Sequence, residues 1–220
     1  MSAAFLVLAL AHALIVGWLA VRWLRHPVAL QPAILIVMAV GAALVVDNLV
    51  VGLGSTIGEG DLLSKLNSLR FLLHVVITPT IIVAAVLYGQ AGGIDFTSRL
   101  TRPAQLLAAA MVLLGIATDG LWPRLEPAIV SDVVRYVHPD AVVPLPSIVA
   151  VVAVIVIGGA LWKADVSRWM LTGAVIMFVA SAIPPGDLLL LGNIAEVAFL
   201  AGLAATAMDL SVINPTPSAV

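Results

Sequence analysis

Long apolar runs alternate with short polar connections along the whole chain. Each run is long enough, or nearly so, to cross a hydrocarbon core of about 30 Å as a helix rising 1.5 Å per residue. The pattern predicts an all-α membrane bundle with seven transmembrane helices, at about 3–24, 30–52, 63–88, 103–121, 144–162, 168–183 and 187–209. The sixth run is short and ends at Pro184, Pro185, Gly186 and Asp187. A six-helix count, with the last two runs forming one hairpin, is therefore the main alternative.

Composition supports a chain that lies mostly within a membrane. Of 220 residues, 62% are hydrophobic and 10% are charged, and the mean hydropathy is +1.18. An ordinary globular domain is about 45–50% apolar, and no stretch is left for a soluble domain. We expect a single transmembrane bundle over residues 1–210 and a flexible cytoplasmic tail over 211–220, in a multi-pass protein of the cell membrane.

Basic residues predict the orientation of the bundle. One set of connections carries Arg22, Arg25, Arg99, Arg102, Lys163 and Arg168, and the opposite set carries Lys65, Arg124 and Arg135. Cytoplasmic loops carry the excess of lysine and arginine in membrane proteins. The N-terminus is therefore predicted outside and the C-terminus inside.

Cysteine and net charge exclude several classes of function. The chain has no cysteine, which removes disulfides, cysteine nucleophiles and thiolate metal sites. Its 10 basic and 12 acidic residues nearly balance, so charge gives no reason to expect a nucleic-acid partner. Membrane lipid and a small amphiphilic ligand are the expected partners, and the sequence permits an oligomer.

Two outer connections have patterns of their own. Apolar residues recur at helical spacing in PAIVSDVVRYVHP, which predicts a short interfacial helix at about 128–138. It would cover the mouth of the bundle as a lid or fill space between helix ends. The glycines of VGLGSTIGEGD, which are Gly52, Gly54, Gly58 and Gly60, predict a flexible turn.

The third run carries a polar stripe. In LLSKLNSLRFLLHVVITPT, the side chains of Asn67, Arg70, His74 and Thr78 fall within about 80° of one another on a helix. Pro79 removes a backbone donor and predicts a break directly below the stripe.

Other runs bring polar groups to a similar depth in the outer half of the bundle. These groups are His12, Asp47, Asn48, Asp119, Asn193 and Glu196. One ionisable residue near the centre of a membrane helix costs about 2.5 to 3.5 kcal/mol by insertion scales, and such residues normally face the bundle interior or a wet cavity. The sequence therefore predicts one polar chamber that opens outward. The alternative is a cluster that only ties helices together.

The residue types suggest roles within this chamber. Arginine and histidine donate to phosphate or carboxylate groups, and two carboxyl groups in different environments suit acid–base chemistry. The predicted catalytic residues are Asp47, His74 and Glu196. The predicted ligand-binding residues are Asn48, Asn67, Arg70, Thr78, Asp119 and Asn193.

Known intramembrane chemistries fit these residues poorly. A retinal protein needs a lysine in the last helix, and 187–209 has none. Zinc or haem would have to use His12 and His74, without the ligand spacing that such sites usually show. The cofactor therefore stays unassigned.

Two functions remain open. The first is a site, or a lipid-modifying enzyme, that acts on an anionic amphiphile, with Arg70 and His74 on its head group. The second is a seven-helix sensor or a proton- or ion-coupled carrier that uses the same carboxyl groups. The inner halves of the runs are almost wholly apolar, which favours a pocket open on one side over a conduction path.

Overall fold

A computed structural model describes residues 1–23, 25, 27–121, 123–139, 144–183 and 189–213. Over this part of the chain the protein is a helical bundle with one small β-hairpin. The helices are α1 (Ser2–Trp23), α2 (Gln31–Ile57), α3 (Asp61–Ile77), α4 (Ile81–Ala91), α5 (Thr101–Asp119), α6 (Leu145–Lys163), α7 (Trp169–Ser181) and α8 (Leu189–Ile213). Short 3-10 turns cover Val28–Leu30, Thr78–Thr80 and Asp95–Arg99.

The architecture confirms the predicted all-α membrane bundle. Among the described residues, six helical segments are long and apolar enough to cross a membrane, and α3 and α4 count as one of them. Helix α7 has only 13 residues. The exact number of crossings and the orientation stay predictions, and the break at Pro184 to Asp187 lies outside the described residues.

Pro79 interrupts the third span as its sequence predicts. The 3-10 turn Thr78–Thr80 separates α3 from α4, because proline lacks the N–H that an α-helix needs at this position. The Thr80 hydroxyl donates to the Ile77 carbonyl at 2.6 Å. This bond satisfies a carbonyl at the end of α3, so the break is stable inside the bundle.

Helices α7 and α8 approach each other closely through glycine. A Cβ atom at Gly173 would lie 2.8 Å from the Ala198 carbonyl oxygen, and one at Gly202 would lie 2.5 Å from the Trp169 carbonyl oxygen. Small residues let the backbones of membrane helices approach in this way. Leu203, on the same helix as Gly202, is fully buried in the main core.

The predicted glycine turn is wrong at its start. Helix α2 continues to Ile57, and Gly52 and Gly54 lie inside it because they make room for neighbours. A Cβ at Gly52 would meet the Leu6 side chain at 2.8 Å, and one at Gly54 would overlap the Val134 carbonyl oxygen. The turn itself begins at Gly58, whose φ of 78° favours glycine.

The predicted interfacial helix at 128–138 is wrong. These residues belong to an antiparallel hairpin, in which strand β1 (Glu126–Val130) pairs with β2 (Val133–Val137), and Val130 opposes Val133 across the turn. Valine and isoleucine have restricted χ1 angles, which disfavour a helix and suit a pleated strand. The same residue types are helical in α6, but here Ser131 at the turn has a φ of 56°, which ends a helix. The run therefore forms two strands despite its helical spacing.

The hairpin is docked on the helix ends. Val133 is fully buried against Phe5 of α1 and Val51 of α2. The Ser55 hydroxyl accepts from the Val134 N–H at 3.2 Å and donates to the Asp132 carbonyl. A two-stranded hairpin is marginally stable alone, so these contacts hold it in place. We call this end of the bundle the outer end, after its predicted orientation.

The C-terminal boundary also differs from prediction. Helix α8 continues to Ile213, so the predicted tail at 211–220 is wrong for its first three residues. The Ser211 hydroxyl donates to the Ala207 carbonyl at 2.7 Å, within the last turns of the helix. The remaining tail, 214–220, lies outside the described residues.

Candidate functional site

An ion pair joins α2 and α3 near the outer end. Arg70 Nε donates to Asp47 Oδ1 at 2.5 Å, and Arg70 Nη1 donates to Asn67 Oδ1 at 2.8 Å. Asn67 is fully buried and donates through Nδ2 to the Leu63 carbonyl at 2.8 Å. That bond directs the Asn67 oxygen toward Arg70. Asn67 therefore positions the arginine, and the stripe predicted on the third run includes a fixed guanidinium.

Helix α8 supplies a second carboxyl group. Asn193 lies one turn before Glu196, and its Nδ2 donates to Glu196 Oε2 at 3.3 Å and to Asp47 Oδ2 at 3.5 Å. One amide thus links the carboxyl groups of α2 and α8. Asp47 contacts both Arg70 and Asn193, so it lies at the centre of the cluster.

These side chains surround a cavity of about 250 Å³, which we call the outer cavity. Its lining consists of Asp47, Arg70, Phe71, His74, Asn193 and Glu196. Asp47 is 21% exposed and Arg70 is 13% exposed, so both side chains are mostly buried yet reach the cavity. Helices α2, α3 and α8 thus bring charged groups of both signs to one opening.

His74 is fixed from the neighbouring span. Its Nε2 lies 2.9 Å from the Ser147 hydroxyl, at the start of α6. Thr78 lies one turn below and lines a smaller cavity of about 10 Å³ together with Asp47, Arg70 and His74. That volume is about what one water molecule needs. Thr78 does not line the outer cavity.

Asn48 and His12, like Asn67 and Thr78, do not line the outer cavity. Asn48 is fully buried, and its Nδ2 donates to the Leu44 carbonyl at 2.9 Å. His12 is fully buried, and its Nδ1 donates to the Leu8 carbonyl at 2.9 Å. Asp119 ends α5, and its side chain lies outside the described residues. The sequence predicts Asn48 in the chamber because it follows Asp47. Successive side chains on a helix point about 100° apart, so Asn48 faces another direction.

The described residues offer no set of three His, Asp or Glu side chains arranged to hold a metal ion. His12 is fully buried in α1 and His74 is exposed on α3. Zinc or haem held by these two histidines therefore gains no support from the geometry.

Three residues that contribute to the site were not predicted from the sequence. Phe71 lines the cavity, and the Arg70 guanidinium carbon lies 5.3 Å from the centre of its ring. Ser147 contacts His74. Arg135 of β2 has a buried Nε without a partner among the described residues. No spacing in the sequence pointed to any of these three residues.

Arg135 brings a second positive charge near the cluster. Burial lowers the pKa of its guanidinium, the charge of Arg70 lowers that pKa further, and the charge of Asp47 opposes both. Arginine stays protonated in proteins, so the hairpin adds a fixed cation beside the outer cavity.

The inner half of the bundle is closed at two positions where a polar path would have to pass. Tyr88 and Thr206 are both fully buried. The Thr206 hydroxyl donates to the Gly202 carbonyl at 2.9 Å, within its own helix. These two side chains therefore offer no open route from the outer cavity to the other end.

Chemically, the arrangement combines a fixed guanidinium, a histidine and two carboxyl groups joined by an amide. Such a set binds an anion or moves a proton. Comparison gives no relative to choose between these activities: no protein-family model matches the chain, and neither the curated proteins nor the solved structures include a significant match.

Proposed function

We propose that the protein binds the anionic head group of an amphiphile in the outer cavity, from within the membrane. The observation that carries this proposal is the lining of the cavity. Arg70 and His74 lie together with Asp47 and Glu196 around about 250 Å³ in a chain of which only 10% is charged. Charged residues at membrane depth are costly and mark ligand or ion sites.

Arg70 is the main contact for the anion. Its Nε and Nη1 donate to Asp47 and Asn67, which leaves Nη2 without an acceptor among the described residues. A guanidinium held by two partners loses little freedom when it binds a phosphate or carboxylate group. His74 lies one turn along the same helix and lines the same cavity.

The surroundings of the cavity suit an alkyl tail. Leu69 on α3 is 38% exposed and Ile194 on α8 is 52% exposed, at nearly the same depth along their helices as the lining residues Arg70 and Asn193. A tail outside the cavity would contact such apolar surface while the head group contacts Arg70. An amphiphile therefore fits the position better than a freely soluble anion.

The two carboxyl groups would handle protons for this ligand. Asp47 is paired with an arginine, whereas the Glu196 carboxyl group accepts a hydrogen bond from the Asn193 amide. Two carboxyl groups with different partners are the arrangement that acid–base chemistry uses. Acid–base chemistry on the bound ligand, as in a lipid-modifying enzyme, is the extension of this proposal.

The test uses a photoreactive dodecyl phosphate and maps its crosslinks by mass spectrometry. In the wild-type protein we expect crosslinks on α3 and α8 beside the outer cavity. The double variant Asp47→Asn with Arg70→Gln removes both charges together and keeps polar amides in their place, so it avoids an unpaired buried charge. We expect at least a tenfold loss of these crosslinks, with an unfolding temperature close to that of the wild type.

Lys65→Gln is the matched control, because Lys65 lies on the same helix, is 72% exposed and pairs with Asp61 one turn before it. It should leave the crosslinks unchanged. A folded double variant that still crosslinks like the wild type would exclude this function.

A proton- or ion-coupled sensor or carrier is the second candidate. The observation in its favour is the amide of Asn193, which joins the carboxyl groups of Asp47 and Glu196. Carboxyl groups joined inside a membrane bundle are the groups that proton relays use. Proton uptake into sealed vesicles that contain the protein tests this candidate. A carrier would acidify the lumen, and Glu196→Gln would stop the uptake. A protein that only binds its ligand from one side would move no protons.

A further inference from the structure

A second space large enough for a lipid lies at the inner end of the bundle, away from the hairpin. It is on the surface of the bundle and not in its interior. It is a groove of about 490 Å³ between α1 and α8, which we call the inner groove. Trp18 of α1 and Trp169 of α7 form part of its walls, and Ala201, Ala205 and Met208 of α8 form its base. The α8 side extends from Ala201 to Asp209, about 12 Å at 1.5 Å per residue.

The inner groove faces the surroundings of the bundle. Leu14 in its lining is 65% exposed, Trp18 is 38% exposed and Trp169 is 42% exposed. The small side chains of Ala201 and Ala205 on α8 do not reach α1, and the space left between the two helices is the groove. The walls are thus apolar along most of the groove, as an acyl chain requires.

A polar pocket of about 320 Å³ adjoins this groove, and we call it the inner pocket. The two spaces share Trp169 and Asp209, and the pocket adds Asp165 and Arg168. The turn between α6 and α7 holds Asp165 in place, because the Asp165 N–H donates to the Trp162 carbonyl at 2.9 Å. The apolar groove and the charged pocket therefore meet at Trp169 and Asp209.

Tryptophan and arginine are paired where the apolar groove ends. The Arg22 guanidinium carbon lies 5.0 Å from the Trp18 ring centre, and that of Arg168 lies 4.8 Å from the Trp169 ring centre. Arg22 also donates to the Met208 sulfur at 3.7 Å, which links α1 to α8. Tryptophan and arginine of this kind lie at head-group level in membrane proteins.

We propose that the inner groove and inner pocket together bind one phospholipid whose head group carries a primary ammonium. An acyl chain lies along the groove, the phosphate contacts Arg168, and the ammonium contacts Asp209 and Asp165. This site is separate from the outer cavity and does not depend on the function proposed for it.

The charges of the inner pocket select this head group. The pocket has two carboxylates and one guanidinium, so a purely anionic head group would face Asp165 and Asp209 with no cation to offer. A choline head group is cationic but has no N–H to donate to a carboxylate. An ethanolamine head group has three N–H donors and a phosphate, and matches both signs.

The experiment measures lipid retention by native mass spectrometry of the full chain, after reconstitution with equal amounts of phosphatidylethanolamine, phosphatidylcholine and phosphatidylglycerol. We expect the wild type to retain phosphatidylethanolamine at least fivefold over either competitor. Asp209→Asn should reduce this preference to nearly none, whereas Arg168→Gln should weaken retention of all three lipids, because every one has the phosphate.

Asp95→Asn and Arg99→Gln are matched controls, since both residues are exposed on the same predicted side and line neither space. Both should keep the wild-type preference. Stronger retention of phosphatidylglycerol by the wild type would show that the arginines alone select the lipid, and would overturn the proposal. An unchanged preference in folded Asp209→Asn would overturn it as well.

Discussion

The outer cavity and the buried interior of the inner half use polar side chains in different ways. At the outer end, Arg70, Asp47 and Glu196 surround a cavity that reaches the surroundings. In the inner half, the Ser167 and Thr206 hydroxyls lie 3.2 Å apart and are 6% and 0% exposed. The inner pair is closed and satisfied, whereas the outer cluster has donors to spare. Open polar groups with unused donors indicate a site, and closed pairs indicate helix packing.

The connections next to these polar groups differ in the same sense. Near the inner end, Gln90 Nε2 donates to the Thr97 carbonyl at 2.8 Å and to the Thr101 hydroxyl at 2.7 Å, which fixes the turn between α4 and α5. The outer hairpin contributes Arg135, whose buried Nε has no partner among the described residues. The inner turn thus completes its own hydrogen bonds, and the outer hairpin does not.

The largest expected effect comes from the close contact of α7 and α8. Gly202→Val would push a side chain into the Trp169 carbonyl oxygen, which a Cβ atom alone would approach to 2.5 Å. Overpacking of this kind costs about 3 kcal/mol at the upper end of its usual range. Thermal unfolding in detergent should show the loss.

Gly192→Ala is its control on the same helix, because a Cβ atom at Gly192 meets nothing within 4 Å. It should stabilise the protein by up to about 1 kcal/mol, since alanine favours a helix. If the two variants unfold alike, the close packing inferred for the inner half is wrong.

A smaller pair of effects separates packing from binding. Thr206→Val removes the hydroxyl contacts with Ser167 and Gly202, and Asn193→Leu removes the amide between Asp47 and Glu196. Each should cost about 1 kcal/mol of stability. Only Asn193→Leu should change the crosslinking of dodecyl phosphate, because only Asn193 lines the outer cavity. Equal crosslinking in both variants would remove the distinction between the two halves.

Much of the fold follows from simple patterns. Apolar runs place the helices because a membrane allows few other structures. Similar depth along α2, α3 and α8 places Asp47 near Arg70 and Glu196, as their shared contacts in the outer cavity show. Pro79 marks the break in the third span. Each of these inferences needs only the length of a helix and its period.

Other features depend on which elements become neighbours. The contact of His74 with Ser147 requires α6 to lie beside α3, and no spacing in the sequence states that. The sequence alone predicts Gly54 in a turn, whereas in the structure it lies in α2 and leaves room for the Val134 carbonyl of the hairpin. The hairpin itself has apolar residues at a spacing common to helices and strands. Its valine content is shared by the helix α6, so neither property chose between the two structures.

The smallest expected effect is a pH dependence confined to the hairpin. Hydrogen bonds from the N-terminal ammonium and from the Ser2 N–H hold the pKa of Asp132 well below its usual range. A depressed pKa means that the folded state favours the carboxylate. The resulting stabilisation is present above the unfolded pKa of about 3.9 and is lost as the pH falls through the folded value.

Amide hydrogen exchange of β1 and β2 should therefore rise as the pH falls below about 4, after correction for the intrinsic exchange rate. The helices should not respond in this range, since the contact involves only the helix end and the hairpin turn. Asp132→Asn should raise exchange of the hairpin at neutral pH and remove its pH dependence. A wild-type hairpin that exchanges at the same corrected rate at pH 3 and pH 7 would show that Asp132 does not hold it, and the docking would then rest on Phe5, Val51 and Val133 alone.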